Sequence, residues 1–170
     1  TVFAETEATL LEIRWQGLRE LRRYDEGWRR MIDQRYRENA LKVHLSETLL
    51  FAGLEPTALQ EVADRTLFET YGTFDWNVSY KQLRSQGKAD ELHEPVIARE
   101  GEYPDGLLMI RAGFARVSVR FGHGERTLIY LGKGDTYGLD ELYAAWREKR
   151  HVPLETTLTA IGYVDILRVP

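Results

Sequence analysis

Two glycines and a lysine near the end of the chain occupy a place where a phosphate-binding loop could lie. Gly132, Lys133 and Gly134 stand between a predicted strand and a predicted helix, but Gly138 comes one residue too late for the G-x-G-x-x-G pattern. The preceding strands resemble hairpins rather than βαβ units, and no Ser or Thr follows Lys133. We therefore predict neither a dinucleotide loop nor a P-loop here.

Residue types that often carry catalysis are not arranged for it. The chain has no cysteine, which excludes disulfides, thiolate metal sites and cysteine nucleophiles. It has no G-x-S-x-G motif and no clear acid–base pair. The histidines are scattered without metal-ligand spacing, at His44, His93, His123 and His151. We expect a protein that is not an enzyme and that has no metal site.

Composition and charge are those of an ordinary globular domain. The chain has 170 residues, of which 43% are hydrophobic and 29% are charged, so it can bury a core. Its net charge of −4 counts against a dedicated nucleic-acid binder. The apolar runs are only a few residues long, so we expect no membrane span and a cytoplasmic location.

The first third of the chain has helical periodicity. Between residues 15 and 43, apolar residues recur at spacings of three and four, and Gly27 predicts a break into two helices. Ser46 predicts the cap of a short helix that ends at Phe51. Pro56 occupies a favoured first-turn position of a further helix.

From residue 66 onward, short β-like segments alternate with Gly and Pro. Spacing of this kind predicts a small antiparallel barrel or roll, and thus an α+β fold that is mainly β. Residues 139–149 interrupt the strands with a helix, and the polar residues 72–94 are interpreted as an inserted loop. The predicted strands are 66–71, 96–99, 107–111, 114–121, 127–131, 156–160 and 163–169.

The two ends of the chain match each other. Residues 1–4 align with 157–160, and 10–13 align with 166–169, both at an offset of 156 residues. We interpret residues 1–45 as the last strands and C-terminal helices of a preceding repeat. Residues 46–170 are then a second repeat that lacks its own C-terminal helices, in a fragment of a longer tandem protein. Residues 15–43 or another chain should cover the apolar surface of this second repeat.

Over about residues 46–170, three phrases resemble the cyclic nucleotide-binding domain family. Residues 48–54 resemble the opening of such domains, and residues 96–110 resemble their glycine-punctuated β core. Residues 134–138 (GDTYG) resemble the start of their phosphate-binding cassette. The resemblance implies an antiparallel double-stranded β-helix, or jelly-roll β-roll, with flanking α-helices. It also implies a non-enzymatic regulatory role.

In that family, helix N–H groups cradle the cyclic phosphate, a glutamate binds the ribose and an arginine pairs with the phosphate. Here Gly138 matches the family's glycine, whereas Leu139 stands where the glutamate belongs and Leu154 where the arginine belongs. The implied ligand site consists of Gly138, Leu139, Asp140, Glu141 and Leu142 together with Leu154, Glu155, Thr156 and Thr157.

The candidate ligands that the resemblance implies are cAMP and cGMP. The missing arginine and the added carboxylates both oppose phosphate binding, so we expect a degenerate cassette and assign no definite cofactor. Arg147 and Arg150, on or just after the following helix, could supply a substitute cation for the phosphate. An exposed helix face is the simpler interpretation of these two arginines.

The basic stretch from Arg22 to Lys42 is interleaved with acidic residues, as on the exposed face of an amphipathic helix. An apolar stripe on the same stretch is a candidate homodimer contact, formed by Trp28, Met31, Ile32 and Tyr36. No helix-turn-helix is recognisable, so we expect no contact between this fragment and nucleic acid.

Three functions remain open at this stage. The first is a regulatory sensor, in which ligand binding moves the flanking helices and controls an effector domain elsewhere in the protein. The second is a ligand-independent protein-interaction or dimerisation module. The third is the sensor part of a DNA-binding transcription regulator.

Overall fold

The computed structural model describes residues 6–9, 12, 15–72, 85 and 94–170. The side chains at positions 15, 16, 19, 20 and 23 are outside this description. Most of the end-to-end repeat match at residues 1–13, most of the predicted loop 72–94 and the histidine at position 93 also lie outside the described residues.

In the described part of the chain, five helical segments precede the first strand, and the first four of them follow one another closely. They are α1 (Trp15–Tyr24), α2 (Glu26–Tyr36), a π-helical turn (Arg37–Leu41) and α3 (Lys42–Glu47). The break between α1 and α2 falls at Asp25 rather than at Gly27. The Asp25 carboxylate accepts a hydrogen bond from the Trp28 N–H at 3.0 Å and so caps α2. A side-chain cap satisfies a free N–H of the first turn, which glycine cannot do.

The helix predicted from Ser46 to Phe51 is absent from the structure. Ser46 lies in the last turn of α3, where its hydroxyl donates to the Val43 carbonyl at 2.8 Å, and residues 48–53 form turns. The next helix, α4 (Pro56–Arg65), begins at Pro56 as predicted. Proline is tolerated there because the first-turn N–H has no partner within the helix.

The strands form one antiparallel sheet that is rolled up on itself. Its order is β1-β6-β3-β4, with β2 paired to β6 and β5 paired to β3. A helix, α5 (Leu139–Glu148), separates β5 from β6. The strands are β1 (Leu67–Gly72), β2 (Val96–Ala98), β3 (Leu107–Phe121), β4 (Gly124–Leu131), β5 (Thr136–Tyr137) and β6 (Thr157–Val169).

β3 and β6 are each longer than predicted, because each joins two of the predicted strands. The pairing of these strands shifts register on both sides of Gly113 instead of ending there. Gly113 has φ +85°, and a Cβ at this position would lie 2.0 Å from the Tyr163 carbonyl oxygen. Only glycine fits such a bulge. The mainly β, antiparallel roll with flanking helices that we predicted is confirmed.

Side chains alternate between the two faces of β3 and β6 and thereby form two cores. We call them the inner core and the outer core. The inner core fills the roll with Leu108, Ile110, Ala115, Val117, Tyr137, Leu154, Leu158, Ala160, Val164 and Ile166. The outer core joins the sheet to the helices through Leu41, Leu45, Phe51, Ala63, Leu107, Met109 and Leu167. Leu41 and Leu45 show that the π-helical turn and α3 cover the outer face of the sheet.

Candidate functional site

A cavity of about 360 Å³ lies where the two predicted halves of the cassette meet. Gly138 comes from the first half and Leu154 from the second. The remaining wall comes from β2, from the loop before β3, and from the inner faces of β3 and β6. These lining residues are Ile97, Ala98, Glu102, Tyr103, Pro104, Asp105, Gly106, Leu108, Tyr137 and Arg168.

Gly138 forms the turn between β5 and α5. It has φ +87° and caps the N-terminus of α5, and its carbonyl accepts the Leu142 N–H at 3.1 Å. A left-handed backbone favours glycine because other residues would strain a Cβ against the following carbonyl. This turn places Gly138, at the N-terminus of α5, on the cavity wall.

Leu154 places an apolar side chain where the resemblance puts an arginine. It is buried and packs in the inner core. Its N–H donates to the Glu102 carbonyl, and its own carbonyl accepts the Gly101 N–H, both at 2.8 Å. The backbone of Leu154 therefore fastens the second half of the cassette to the loop that forms the opposite wall.

The carboxylate of Glu141 stabilises the cassette instead of lining the cavity. Its Oε1 accepts the Glu155 N–H at 3.3 Å, and the side chain of Glu155 is exposed. Asp140 and Leu139 are also exposed, and Leu142 packs against the outer core. None of these five residues lines the cavity.

The two threonines of the cassette make local hydrogen bonds. The Tyr137 hydroxyl donates to the Thr156 carbonyl at 2.5 Å and accepts a hydrogen bond from the Thr156 hydroxyl at 3.1 Å. Burial raises the pKa of Tyr137, which keeps this phenol protonated as the donor. Thr157 accepts the Glu100 N–H at 3.0 Å. Thr156 thus holds Tyr137 in place on the cavity wall.

The structure does not bring the candidate substitute cations to the cavity. Arg147 lies in the last turn of α5, and Arg150 follows that helix. Both are exposed, and Arg150 pairs with Glu148. The helix axis carries these residues away from Gly138, since each residue advances about 1.5 Å along it.

Arg168, which the sequence analysis did not single out, is the cation that lines the cavity. Its Nε and Nη2 donate to Glu69 Oε1 at 2.7 Å and Oε2 at 2.9 Å, and its Nη1 donates to Asp105 Oδ1. Hydrogen bonding to Arg168 lowers the pKa of Glu69, and the Glu69 contact raises the pKa of Arg168. We call Glu69, Asp105 and Arg168 the cavity ion cluster.

Alternation along the strand is the sequence signal that could have pointed to Arg168. It lies two residues after Ile166 of the inner core, so it faces the same side of the sheet. Its neighbours Glu69 and Asp105 cannot be found in this way, because they come from other elements. Their contact depends on the register of β1 against β6, in which Glu69 pairs with Ile166.

The charges on the cavity wall sum to a negative value. Glu102 and Asp105 are acidic, and Arg168 is the only cationic residue among the described lining residues. Arg168 already forms an ion pair with Glu69 of β1. An anion entering this cavity would meet two carboxylates and a guanidinium that is already neutralised, which disfavours its binding.

The outer face carries a second group of charges, which we call the helix ion cluster: Arg22, Asp33, Arg111 and Asp165. Arg22 from α1 contacts Asp33 of α2 at 3.1 Å and Asp165 of β6 at 3.5 Å. Arg111 of β3 lies 3.6 Å from Asp33 and 3.9 Å from Asp165. These contacts join α1 and α2 to the sheet.

Asp165 is the most connected member of the helix ion cluster. Its Oδ1 also accepts hydrogen bonds from the Thr70 hydroxyl at 2.8 Å and the Tyr163 hydroxyl at 2.6 Å. Burial, followed by the contact with Asp165, raises the pKa of Tyr163 to about 12. Arg22 is only 7% exposed and Asp165 only 3% exposed, so this charge pair is shielded from water.

The predicted dimerisation stripe is split in the structure. Trp28 and Met31 are exposed, whereas Tyr36 packs edge-on against Phe68 with 5.9 Å between ring centroids. The Arg111 guanidinium stacks on Tyr36 at 4.5 Å. Tyr36 therefore serves the packing of its own chain, and the exposed part of the stripe consists mainly of Trp28 and Met31.

Within the part of the chain that the structure describes, no helix is both long enough and apolar enough to cross a membrane. Across those same residues, no three acidic or histidine side chains cluster in a way that could hold a metal ion.

The chain is similar in fold to several solved structures of regulatory proteins, some of which are described as cyclic nucleotide-binding. The regulatory domain of Toxoplasma gondii PKA with cAMP matches with a TM-score of 0.55 and 19% identity, over 76% of this chain and 40% of that one. A regulatory subunit of a cAMP-independent protein kinase A from Trypanosoma cruzi, bound to guanosine, matches with a TM-score of 0.56 and 18% identity, over 79% of this chain and 38% of that one.

A cyclic nucleotide-binding-like protein from Brucella abortus matches with a TM-score of 0.55 and 16% identity, over 77% of this chain and 90% of that one. No protein-family model and no curated protein matches the chain. At these identities the likeness concerns the fold, so the chain has the β-roll of cyclic nucleotide-binding domains. It spans less than half the length of both kinase regulatory proteins.

Proposed function

We propose that this chain is a non-enzymatic regulatory module that binds a small uncharged ligand, of nucleoside size, in the cavity at the start of α5. The observation that carries the proposal is the cavity itself, with Gly138 and Leu154 on its wall. The guanosine bound to the similar Trypanosoma cruzi protein supports a nucleoside as the ligand class. The cAMP in the structure of the similar Toxoplasma gondii domain supports a ligand that contains a base and a ribose.

The charge on the wall favours an uncharged ligand over cAMP or cGMP. The backbone N–H groups of α5 attract a phosphate, but Leu154 supplies no cation and Glu102 and Asp105 repel an anion. A nucleoside has the same base and ribose without the phosphate, so it avoids this repulsion. Ordinary cyclic-nucleotide sensing is therefore the less favoured form of the function.

Two strands provide a route from the ligand to the helices. Leu108 and Arg168 line the cavity, and their chain neighbours Met109 and Leu167 pack in the outer core with Leu45. A ligand that shifts β3 or β6 would therefore change the packing of α1–α3, provided that it binds one arrangement more tightly than the other. This movement would be transmitted to an effector domain elsewhere in the full protein.

The same arrangement supports our interpretation of the two segments. In it, residues 1–45 close a preceding repeat and residues 46–170 form the ligand-binding repeat. Helices from the first segment cover the sheet of the second through Leu41 and Leu45. A cytoplasmic location fits a module that responds to a soluble metabolite.

Calorimetric titration of the chain with guanosine, adenosine, cAMP and cGMP tests the ligand class. We expect saturable binding of at least one nucleoside and weaker binding of the corresponding cyclic nucleotide. An Ala98→Phe substitution should abolish binding because Ala98 lines the cavity. The matched control is Ala52→Phe, since Ala52 is exposed in the turn before α4.

Two results would contradict the proposal. One is the absence of any heat of binding with millimolar nucleoside, and the other is equal binding by the Ala98→Phe and Ala52→Phe variants. Hydrogen–deuterium exchange then tests the coupling to the helices. Bound nucleoside should change the exchange of amides in α1–α3 as well as those around the cavity.

The exposed residues of α2 favour one alternative, a ligand-independent dimerisation module. Trp28 and Met31 present apolar surface on a helix whose other exposed residues are mostly charged. Analytical ultracentrifugation of the chain should then show a dimer that Trp28→Ser with Met31→Ser converts to a monomer. A monomeric parent chain at high concentration would eliminate this alternative.

A further inference from the structure

We propose that Asp105 is a specificity-determining residue that masks Arg168, so that the cavity rejects singly charged oxyanions such as a cyclic phosphate and accepts uncharged ligands. This inference rests on the proposed function, because it assumes that the cavity binds a nucleoside-sized ligand. In this proposal, the Asp105 carboxylate occupies the position on Arg168 that the anionic group of a ligand would otherwise take.

The two edges of the Arg168 guanidinium are in different surroundings. Glu69 occupies the Nε and Nη2 edge with two hydrogen bonds of 2.7 and 2.9 Å, in the fork geometry that suits a carboxylate. The Tyr71 hydroxyl donates to Glu69 Oε2 at 2.8 Å and helps to hold that carboxylate in place. The remaining Nη1 donates to Asp105 on the cavity wall.

The two carboxylates also differ in how firmly they are held. The Glu69 side chain is 24% exposed and lies on β1, which pairs with β6 along its whole length, whereas the Asp105 side chain is 76% exposed and lies in the loop before β3. An exposed ion pair is held weakly, because water competes with it and screens it. Asp105 can therefore leave Nη1, whereas Glu69 keeps the guanidinium oriented towards the cavity.

This arrangement makes Asp105 a competitor of any ligand anion. A cyclic phosphate that binds Nη1 must either share it with Asp105 or displace that carboxylate, and in both cases the phosphate lies close to a like charge. An uncharged nucleoside leaves the Asp105–Arg168 contact intact. Replacing the carboxylate by an amide of the same shape should remove the competition and leave Arg168 as a donor to phosphate.

Glu102 provides a matched control within the same cavity. It also carries a carboxylate on the wall, but its Oε2 accepts the Arg99 N–H at 2.9 Å, in a contact unconnected to Arg168. Glu102→Gln changes the charge of the cavity by the same amount as Asp105→Asn. The two variants thus separate the unmasking of Arg168 from a general change in charge.

The test is calorimetric titration of the parent chain, Asp105→Asn and Glu102→Gln with cAMP and with adenosine, at one fixed ionic strength. The two ligands share base and ribose and differ at the 3′ and 5′ oxygens, so the change in their affinity ratio from one variant to the next reports the effect of the substitution on binding of the cyclic phosphate. In Asp105→Asn we expect the affinity for cAMP relative to adenosine to rise about tenfold to a hundredfold, as for a new charge-assisted hydrogen bond. In Glu102→Gln the ratio should change by less than about fivefold.

A third variant checks that Arg168 carries the gain. Asp105→Asn combined with Glu69→Gln and Arg168→Gln removes the cluster without leaving an unpaired charge, and it should lose the added preference for cAMP. Circular dichroism and thermal unfolding show whether this variant is folded. Retention of the preference without Arg168 would overturn the inference, as would equal ratios for Asp105→Asn and Glu102→Gln.

The outcome also distinguishes this inference from the proposed function. Adenosine binding by all variants with an unchanged ratio in Asp105→Asn overturns the role of Asp105 and leaves the nucleoside site standing. Failure of every variant to bind adenosine, guanosine or cAMP overturns both proposals. Binding of cAMP by the parent chain as tightly as adenosine would show that Asp105 does not mask Arg168.

Discussion

Two clusters of arginines and carboxylates lie on opposite faces of strand β6. The helix ion cluster faces α1 and α2, and it contains Arg22, Asp33, Arg111 and Asp165. The cavity ion cluster faces the interior of the roll, and it contains Glu69, Asp105 and Arg168. The proposed coupling connects the ligand cavity to the helices, and arginines and carboxylates therefore lie at both of these places.

The clusters differ in charge balance and in access to water. The helix ion cluster has two cations and two anions, and Arg22 and Asp165 within it are almost fully buried. The cavity ion cluster has one cation and two anions, and Asp105 within it is exposed. A buried charge must keep its partners, whereas an exposed charge can exchange them. The first cluster is therefore suited to hold helices and the second to respond to a ligand.

The largest effect should follow the loss of Asp165. Asp165→Ala leaves the buried Arg22 without one of its two carboxylate partners and removes the acceptor of Thr70 and Tyr163. We expect the free energy of unfolding to fall by about 3–5 kcal/mol, the usual result of breaking a buried ion pair. Urea denaturation followed by circular dichroism measures it.

The matched change in the cavity is Asp105→Ala, which removes an exposed carboxylate from Arg168 while Glu69 remains. It should lower the free energy of unfolding by no more than about 1 kcal/mol. Comparable losses for the two alanine variants would show that the clusters do not differ in the way that we propose.

A loss between those of the two alanine variants should follow the removal of apolar contact between α3 and the sheet. Leu45 is fully buried in the outer core, so Leu45→Ala should lower the free energy of unfolding by about 2–5 kcal/mol. Leu49→Ala is the control because Leu49 is 94% exposed, and its effect should stay within about 0.5 kcal/mol. Thermal and urea unfolding of both variants test whether α3 belongs to the folded unit.

If Leu45→Ala unfolds only α1–α3 and leaves the roll intact, hydrogen–deuterium exchange will show protection lost in the helices alone. That outcome would show that the cavity face of the sheet stays folded independently of the helix face, because the cavity would persist after α1–α3 unfold. Equal stability of Leu45→Ala and Leu49→Ala would contradict the observed packing.

The smallest effect concerns the pH dependence of the cavity ion cluster. Hydrogen bonding to Arg168 lowers the pKa of Glu69 in the folded state. The stabilisation from this carboxylate is therefore complete above its unfolded pKa, about 4.3, and is lost as the pH falls through the lower, folded value. Between pH 5 and 3, Glu69→Gln should lose less stability than the parent chain.

Tyr71→Phe refines this measurement. The Tyr71 hydroxyl also lowers the pKa of Glu69, but by less than Arg168 does. The pH dependence of Tyr71→Phe should accordingly lie between those of the parent chain and Glu69→Gln. Parallel curves for all three proteins would mean that Glu69 is not held by the cluster as described.

Much of the fold could be predicted from short-range patterns. Pro56 begins α4 because its ring suits a first turn, and the glycines mark the turns and bulges between strands. The pairing of Gly138 with Leu154 across the candidate site was also predictable, through the resemblance to a known cassette. The prediction of a helix that begins at Ser46 was wrong, because the Ser46 hydroxyl instead donates to the Val43 carbonyl within α3.

The composition of the cavity wall could not be predicted in the same way. Glu69 is 99 residues from Arg168 along the chain, and Asp105 is 63 residues from it. No local pattern joins them, because their contact requires the register of β1 on β6 and the placement of the loop before β3. Local sequence thus specifies turns, caps and alternation through short-range sterics and hydrogen bonds. Long-range strand pairing is what brings a cation and its masking carboxylate to one cavity.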